Sequence, residues 1–248
     1  MKNTAVEPGT AASAGVLAEN LSRVEAQIAA ACREAGRPRG EVALMAVSKM
    51  HPAAAIVAAE ALGVRLFGEN KVQEFQQKSA QLGAVSGAEF HLIGHLQSNK
   101  AARAAELFSS IDTVDSVSLA ERLNHAATGL GRRLAVLIEI KLSHEASKAG
   151  LEPDSAELGL LLERLPDLTS LELRGLMTVP PYLEDLSAVR PYFAQLRGLR
   201  DRLATAYPRL SFPELSMGMS HDFPVAIAEG ATQVRIGTAL FGARDYSR

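Results

Sequence analysis

VALMAVSKMHP (42–52) reads as a buried β-strand that runs, without a glycine, into the start of a helix. Val42 to Val47 form a continuous apolar run of the kind carried by a strand buried on both faces. Pro52 then punctuates the next element. A doubly wound open sheet usually places a G-x-G-x-x-G turn after its first strand. Ser48-Lys49-Met50-His51-Pro52 has no glycine at all, so this stretch favours a closed barrel.

The same alternation continues along the chain. Further strands are expected at RLFGE (65–69), EFHLIG (89–94), SIDTVD (110–115), RLAVLIEIKL (133–142), LELRGLMTV (171–179), PELSMG (213–218) and TQVRIG (232–237). Amphipathic helices are expected near 53–62, 71–82, 98–107, 117–128, 155–164, 186–206 and 222–229. Eight strands, each followed by a helix, point to an α/β fold of the (β/α)8 TIM barrel type. Ahead of them, Val16, Leu17, Leu21, Val24, Ile28 and Ala31 recur at helical spacing, and Gly36 and Pro38 end that extra N-terminal helix. Residues 1–10 read as a disordered N-terminus and 11–248 as a single domain.

Composition narrows the function classes. Lys and Arg number 26 against 28 Asp and Glu, net charge −2, so no basic groove for nucleic acid stands out. Aromatics are 5% and Trp is absent, which disfavours base stacking. A single cysteine, Cys32, allows neither an internal disulfide nor a multi-cysteine zinc site. No apolar h-region opens the chain, and the longest charge-free apolar stretch, 52–59, is far short of the roughly 18 residues of a membrane span. The expectation is a cytoplasmic protein with no nucleic-acid or membrane partner.

In a barrel, chemistry sits where strands end. Lys49 leaves a buried strand there. A desolvated lysine amine is a better nucleophile for a Schiff base; the plainer alternative is a solvated loop lysine. SMGMS (216–220) and RIGT (235–238) follow the last two strands, where barrels often bind phosphate. Gly218 and Gly237 would let the backbone approach an anion, and Ser216 and Thr238 would add hydroxyl donors; the glycines could equally be turn residues. A Schiff-base lysine with a phosphate site fits pyridoxal 5′-phosphate (PLP), or a phosphorylated substrate of a Schiff-base aldolase. Arg235, two residues before Gly237 and on the same side of the strand, could face a pyridine nitrogen and keep it unprotonated. A structural ion pair is the alternative for Arg235.

At these residues the chain resembles the pyridoxal-phosphate homeostasis proteins, single-domain relatives of the alanine racemase barrel. The matching segments are AVSK (46–49), FGENKVQE (67–74), FHLIGHLQSNK (90–100), SHEASKAG (143–150), GLMTVPP (175–181), LSMGMSHDFPVAI (215–227) and GATQVRIGTALFGAR (230–244). They follow the family's order over nearly the whole chain after the first helix. The resemblance implies an alanine racemase N-terminal type of barrel with PLP as cofactor. It implies an internal aldimine on Lys49, Asn70 lining the cofactor, and a phosphate cradle of Ser216, Gly237 and Thr238. Arg235 would then face the pyridine nitrogen. Met50-His51, Phe90 and Lys71 depart from the residues usual there, and none of them is needed for the aldimine.

The resemblance also implies a role in vitamin B6 balance, with PLP-dependent apoenzymes as possible recipients. Two-base racemisation needs a second acid/base group, which the racemases take from a C-terminal β domain; only eleven residues follow Gly237. A monomeric carrier without robust catalysis is therefore the leading expectation. A weak amino-acid racemase is the alternative, and an aldolase using Lys141 a more distant one. His91 and His95 straddle a strand end and are expected to be hydrogen-bonded rather than metal-bound. His144-Glu145 does not open an H-E-x-x-H motif. Cys32 and the stripe Leu158, Leu161, Leu162, Leu165 read as packing residues, and Arg132-Arg133 as a solvated turn.

Overall fold

The computed structural model describes residues 14–82, 87–143 and 149–242. The expectations for residues 1–10, for His144-Glu145 and for the middle of SHEASKAG lie outside them. Helix α1 (Ala14–Glu34) comes first. The strands are β1 (Ala43–Val47), β2 (Leu66–Glu69), β3 (Glu89–Leu92), β4 (Ser110–Val114), β5 (Leu134–Glu139), β6 (Leu171–Met177), β7 (Glu214–Met219) and β8 (Gln233–Ile236). Between them run α2 (Ala53–Ala61), α3 (Val72–Leu82), α4 (Ala101–Leu107), α5 (Val117–Gly129), α6 (Ala156–Arg164), α7 (Leu186–Ala206) and α8 (Phe223–Ala228). A short α9 (Thr238–Phe241), not expected from the sequence, follows β8.

All eight strands are parallel and the sheet closes, β1 pairing with β8 from Ala43↔Gln233 to Ala46↔Ile236. Each strand has two buried faces. Outward residues such as Ala46, Ile111, Val136, Ile138 and Ile236 join one apolar cluster with the helices. Met45, Leu137 and Met177 are buried but lie outside that cluster and fill the barrel's interior. Mixed into that interior are polar side chains, Asp112, Ser216, Gln233 and Arg235, all buried.

Local chemistry sets the helix starts. Ser116, Ser155 and Asp185 accept hydrogen bonds from Leu119, Leu158 and Ser187 N–H and cap α5, α6 and α7. Leu158, Leu161, Leu162 and Leu165 bury the face of α6 as expected. Cys32 is buried on α1, which packs on α8 and α9. Asn20 Nδ2 donates to Leu240 O at 3.0 Å, so the extra helix tethers the turn after β8. Arg132 corrects the expectation of a merely solvated turn. Its guanidinium is half-buried and donates to Ala105 O and Phe108 O, the open carbonyls at the end of α4.

Candidate functional site

A cavity of about 350 Å³ opens at the carboxyl ends of the strands. It is lined by Lys49 after β1, Asn70 after β2, Ile93 after β3, Arg235 on β8, and Gly237 and Thr238 beyond it. Ser220, His221 and Asp222 from the β7–α8 loop complete one wall, with Tyr182 at the rim. Five of the residues singled out in the sequence, Lys49, Asn70, Arg235, Gly237 and Thr238, therefore share one space. Ser216 and Gly218 are not in its lining. Gly218 has φ +91°, and a Cβ there would lie 2.6 Å from the Ala226 Cβ, so this glycine lets α8 close on β7. A roomier groove of about 620 Å³ is lined by Lys141, Ser143 and Tyr192. Lys141 opens on that groove and is not among the residues lining the Lys49 cavity.

The Lys49 turn is held from behind. Ser48 Oγ donates to Glu69 Oε1 at 2.7 Å, and Lys78 Nζ donates to Ser48 O at 2.9 Å. The same ammonium meets Glu69 Oε1 and Oε2 at 2.9 and 3.0 Å and Glu74 Oε1 at 2.7 Å. Glu74 in turn accepts from Met50 N at 2.5 Å. Met50 has φ 64°, a left-handed conformation that costs a non-glycine residue about 1–2 kcal/mol. One ion cluster thus grips both neighbours of Lys49 and stabilises the strained residue after it. Burial pushes the Glu69 carboxyl up, and Lys78 and Ser48 only partly offset this. Burial also acts on Glu74, but bonds from Lys78 and the Met50 N–H outweigh it and hold that carboxyl below its usual range. The sequence reading missed Lys78. Its signal was a lysine on the apolar stripe of α3, beside Val72 and Phe75, all three buried.

Asn70 depends on a neighbour. A Cβ at Gly94 would lie 2.2 Å from Asn70 O and 2.7 Å from its side chain. Only a glycine after β3 lets Asn70 sit where it does. On the opposite wall, the turn after β8 meets the loop after β7, and Ala239 N donates to Ser220 Oγ at 3.4 Å. A hydroxyl, another hydroxyl at Thr238 and the backbone of Gly237 face the same end of the cavity, a donor set suited to an anion.

Arg235 is 4% exposed and forms part of the floor. It donates to Ser216 Oγ at 2.8 Å and to Thr178 O at 2.7 Å. Burial pulls its guanidinium below its usual value, and the charges of Asp112, Glu139 and Asp222 oppose that. Deeper in the barrel His91 Nδ1 lies 3.1 Å from Asp112 Oδ2. Burial alone would lower the imidazole, but the Asp112 charge and hydrogen bond outweigh it and the net shift is upward. Burial would likewise raise Asp112, but His91, Ser110 and Gln233 bring it below the usual carboxylate range. His95 pairs with Asp115 at 3.3 Å. His91 is hydrogen-bonded, His95 has a carboxylate neighbour, and among the described residues no group of three or more His, Cys, Asp or Glu is placed to hold a metal. Glu139, at the end of β5, is buried, and its Oε2 has no hydrogen-bond partner among the described residues. Burial and the nearby Asp115 charge push it up to about 7, against the pull of Arg235.

Residues 20–245 match the model of the alanine racemase N-terminal domain family. The chain is 44% identical over 238 residues to the pyridoxal phosphate homeostasis protein of Vibrio cholerae, covering 93% of this chain and 97% of that one. The chain belongs to this family. The Escherichia coli K12 member is 44% identical over 239 residues, covering 94% and 98% of the two chains. The structure of PipY from Synechococcus elongatus PCC7942 with PLP bound superposes with a TM-score of 0.82 at 44% identity, covering 91% of this chain and all of that one. An alanine racemase from Clostridium difficile shares the fold at 16% identity and TM-score 0.69, and this chain covers 58% of it. No helix among the described residues is long and apolar enough to cross a membrane.

Proposed function

We propose that this chain binds pyridoxal 5′-phosphate through Lys49 and serves intracellular vitamin B6 homeostasis as a carrier. One observation carries the reading: an amine, a guanidinium and an anion-binding set line the same small cavity. When bound, the cofactor supplies an aldehyde that condenses with an amine. Lys49 is the amine within the cavity. Ser220, Thr238 and the Gly237 backbone are suited to the phosphate, and Ser220 takes the place the sequence reading gave to Ser216. Arg235 would meet the ring nitrogen and, having only donors, would keep it unprotonated. Ser216 acts one layer below, on Arg235, and Gly218 acts through the packing of α8. Asn70, which lines the same cavity, would line the cofactor. Relatives support the assignment: the family members above are named for pyridoxal phosphate homeostasis, and PipY has been solved with the cofactor.

An arginine at the ring nitrogen would weaken the ring as an electron sink, which disfavours decarboxylation and transamination. A weak amino-acid racemase is the second reading, and turnover separates it from the carrier. In the carrier reading the protein is a cytoplasmic monomer, one domain over 11–248, and PLP-dependent apoenzymes receive the cofactor. The test is incubation of the PLP-loaded protein with single amino acids and with an apoenzyme. A carrier restores the apoenzyme's activity and leaves L-alanine optically unchanged; steady racemisation at enzyme-like rates overturns the reading.

A further inference from the structure

The barrel interior holds a buried polar chain behind Arg235 and Ser216, and its inner members, His91, Ser110, Asp112 and Gln233, have no part in the proposed function. His91 Nδ1 lies 3.1 Å from Asp112 Oδ2, and Ser110 Oγ donates to Asp112 Oδ1 at 2.6 Å. Gln233 Nε2 donates both to Asp112 Oδ2 at 3.3 Å and to Ser216 Oγ at 2.9 Å. Arg235 then donates to the same Ser216 oxygen at 2.8 Å. The chain crosses β3, β4, β8 and β7 and ends on the floor of the Lys49 cavity.

Its polarity is fixed by chemistry. A guanidinium can only donate, so Ser216 must accept from Arg235. Gln233 spends both amide protons, one on Ser216 and one on Asp112, so Asp112 must be the acceptor. An ionised Asp112 next to His91 makes the imidazole a donor. With Asp112 ionised, these donors and acceptors admit one pattern: Gln233 Nε2 donates to both Asp112 and Ser216, and Ser216 accepts from Arg235. A fully satisfied buried network specifies one arrangement.

We propose that Asp112, acting through Gln233 and Ser216, is a positioning residue for Arg235, so that the guanidinium plane presented to the cofactor ring is set from inside the barrel. The inference rests on the PLP reading above. The groups that face this chain are few. His91 feels Asp112, Glu214 and Glu89, and Arg235 feels Asp112, Glu139 and Asp222. None of them hydrogen-bonds to Ser216 other than Arg235 itself, so the hydroxyl and Gln233 are the link.

The experiment uses the full chain loaded with PLP. A first arm compares wild type with Lys49→Ala, read by the visible absorbance band and by borohydride trapping; identical behaviour there sinks the PLP reading and leaves the positioning claim without a ligand. The second arm uses Gln233→Met, which cuts the link while nearly keeping the volume, together with Ser216→Ala, Asp112→Asn and Arg235→Lys. Gln233→Met is expected to raise the apparent dissociation constant for PLP about tenfold, the worth of one hydrogen bond to a charged group. It should also shift the pH midpoint of the visible band in the same direction as Arg235→Lys. The double variant Arg235→Lys/Gln233→Met should be no worse than Arg235→Lys alone, because both act through one group. Additive losses, or a Gln233→Met protein that melts earlier but binds and absorbs as wild type, would overturn the proposal. Should Asp112→Asn not fold, Gln233→Met and Ser216→Ala carry the same comparison.

Discussion

Replacing Lys78 by Met removes the cation that grips the Lys49 turn from behind. The side chain is 10% exposed and Glu69 is fully buried, so solvent screens little of the interaction. Three acceptors lose their donor at once: Ser48 O and the carboxylates of Glu69 and Glu74. Breaking a buried pair by removing one partner costs about 3–5 kcal/mol. Glu69 keeps its bond from Ser48 Oγ and is already shifted toward its neutral form, so the low end, about 3 kcal/mol, is expected. In a chain of this size that corresponds to a melting point lower by about 6–12 °C. The sign with pH follows from Glu69. Its folded pKa lies above the unfolded value and rises further without Lys78. Its contribution is therefore most favourable in acid and is lost as pH rises, so the penalty shrinks from about pH 7 to about pH 5. Urea denaturation of Lys78→Met at both pH values is the assay. The double variant Lys78→Met/Glu69→Gln should recover most of the loss, since no buried charge is left alone. A change below about 0.5 kcal/mol, or a double variant worse than the single, would refute the brace.

The remaining predictions follow from other buried groups. The His91–Asp112 pair stabilises the fold above the unfolded Asp value and below the unfolded His value. That stability is lost as pH rises through the raised His91 pKa and as it falls through the lowered Asp112 pKa. His91→Gln should flatten the decline above about pH 6.5 in urea midpoints, and an unchanged slope contradicts the pairing. Glu139 is pushed from 4.5 to about 7, so its ionisation opposes folding as pH rises. Glu139→Gln should stabilise by about 3 kcal/mol near pH 8 and by under about 1 near pH 5. Equal gains at both pH values in calorimetry would show that charge is not the cause. Gly94→Ala drives a Cβ to 2.2 Å from Asn70 O. It should cost about 1–3 kcal/mol and lower PLP occupancy; unchanged occupancy by absorbance would remove Asn70 from the site.

The barrel was legible because each strand is a short apolar run bounded by a helix with its own 3.6-residue period, and all eight fall where that alternation puts them. Lys49, Arg235, Gly237 and Thr238 were legible as strand-end residues for the same reason, and Asn70 through the family resemblance. β7 shows where that logic thins. The register between β7 and β8 shifts between Ser216 and Met219, so β7 extends to Met219 and its rim residue is Ser220. Ser216 lies deeper, beside Gln233. Local patterning does not reveal a bulge. Nor does it reveal Lys78 with Ser48, or Asp112 with Gln233, because those contacts join strands and helices far apart in sequence. A charged residue on a buried stripe was the available sign for Lys78, and Asp112 carried a similar one, a carboxylate inside an apolar strand.

The most direct test of the cofactor claim is the visible spectrum of the purified protein beside that of Lys49→Ala, each with added pyridoxal phosphate and then borohydride. The account predicts a visible band in the wild type, lost on reduction, with the added mass mapped to Lys49 and no such band in the variant. A wild type that stays colourless with the cofactor, or a variant that traps it as well as the wild type does, would contradict it.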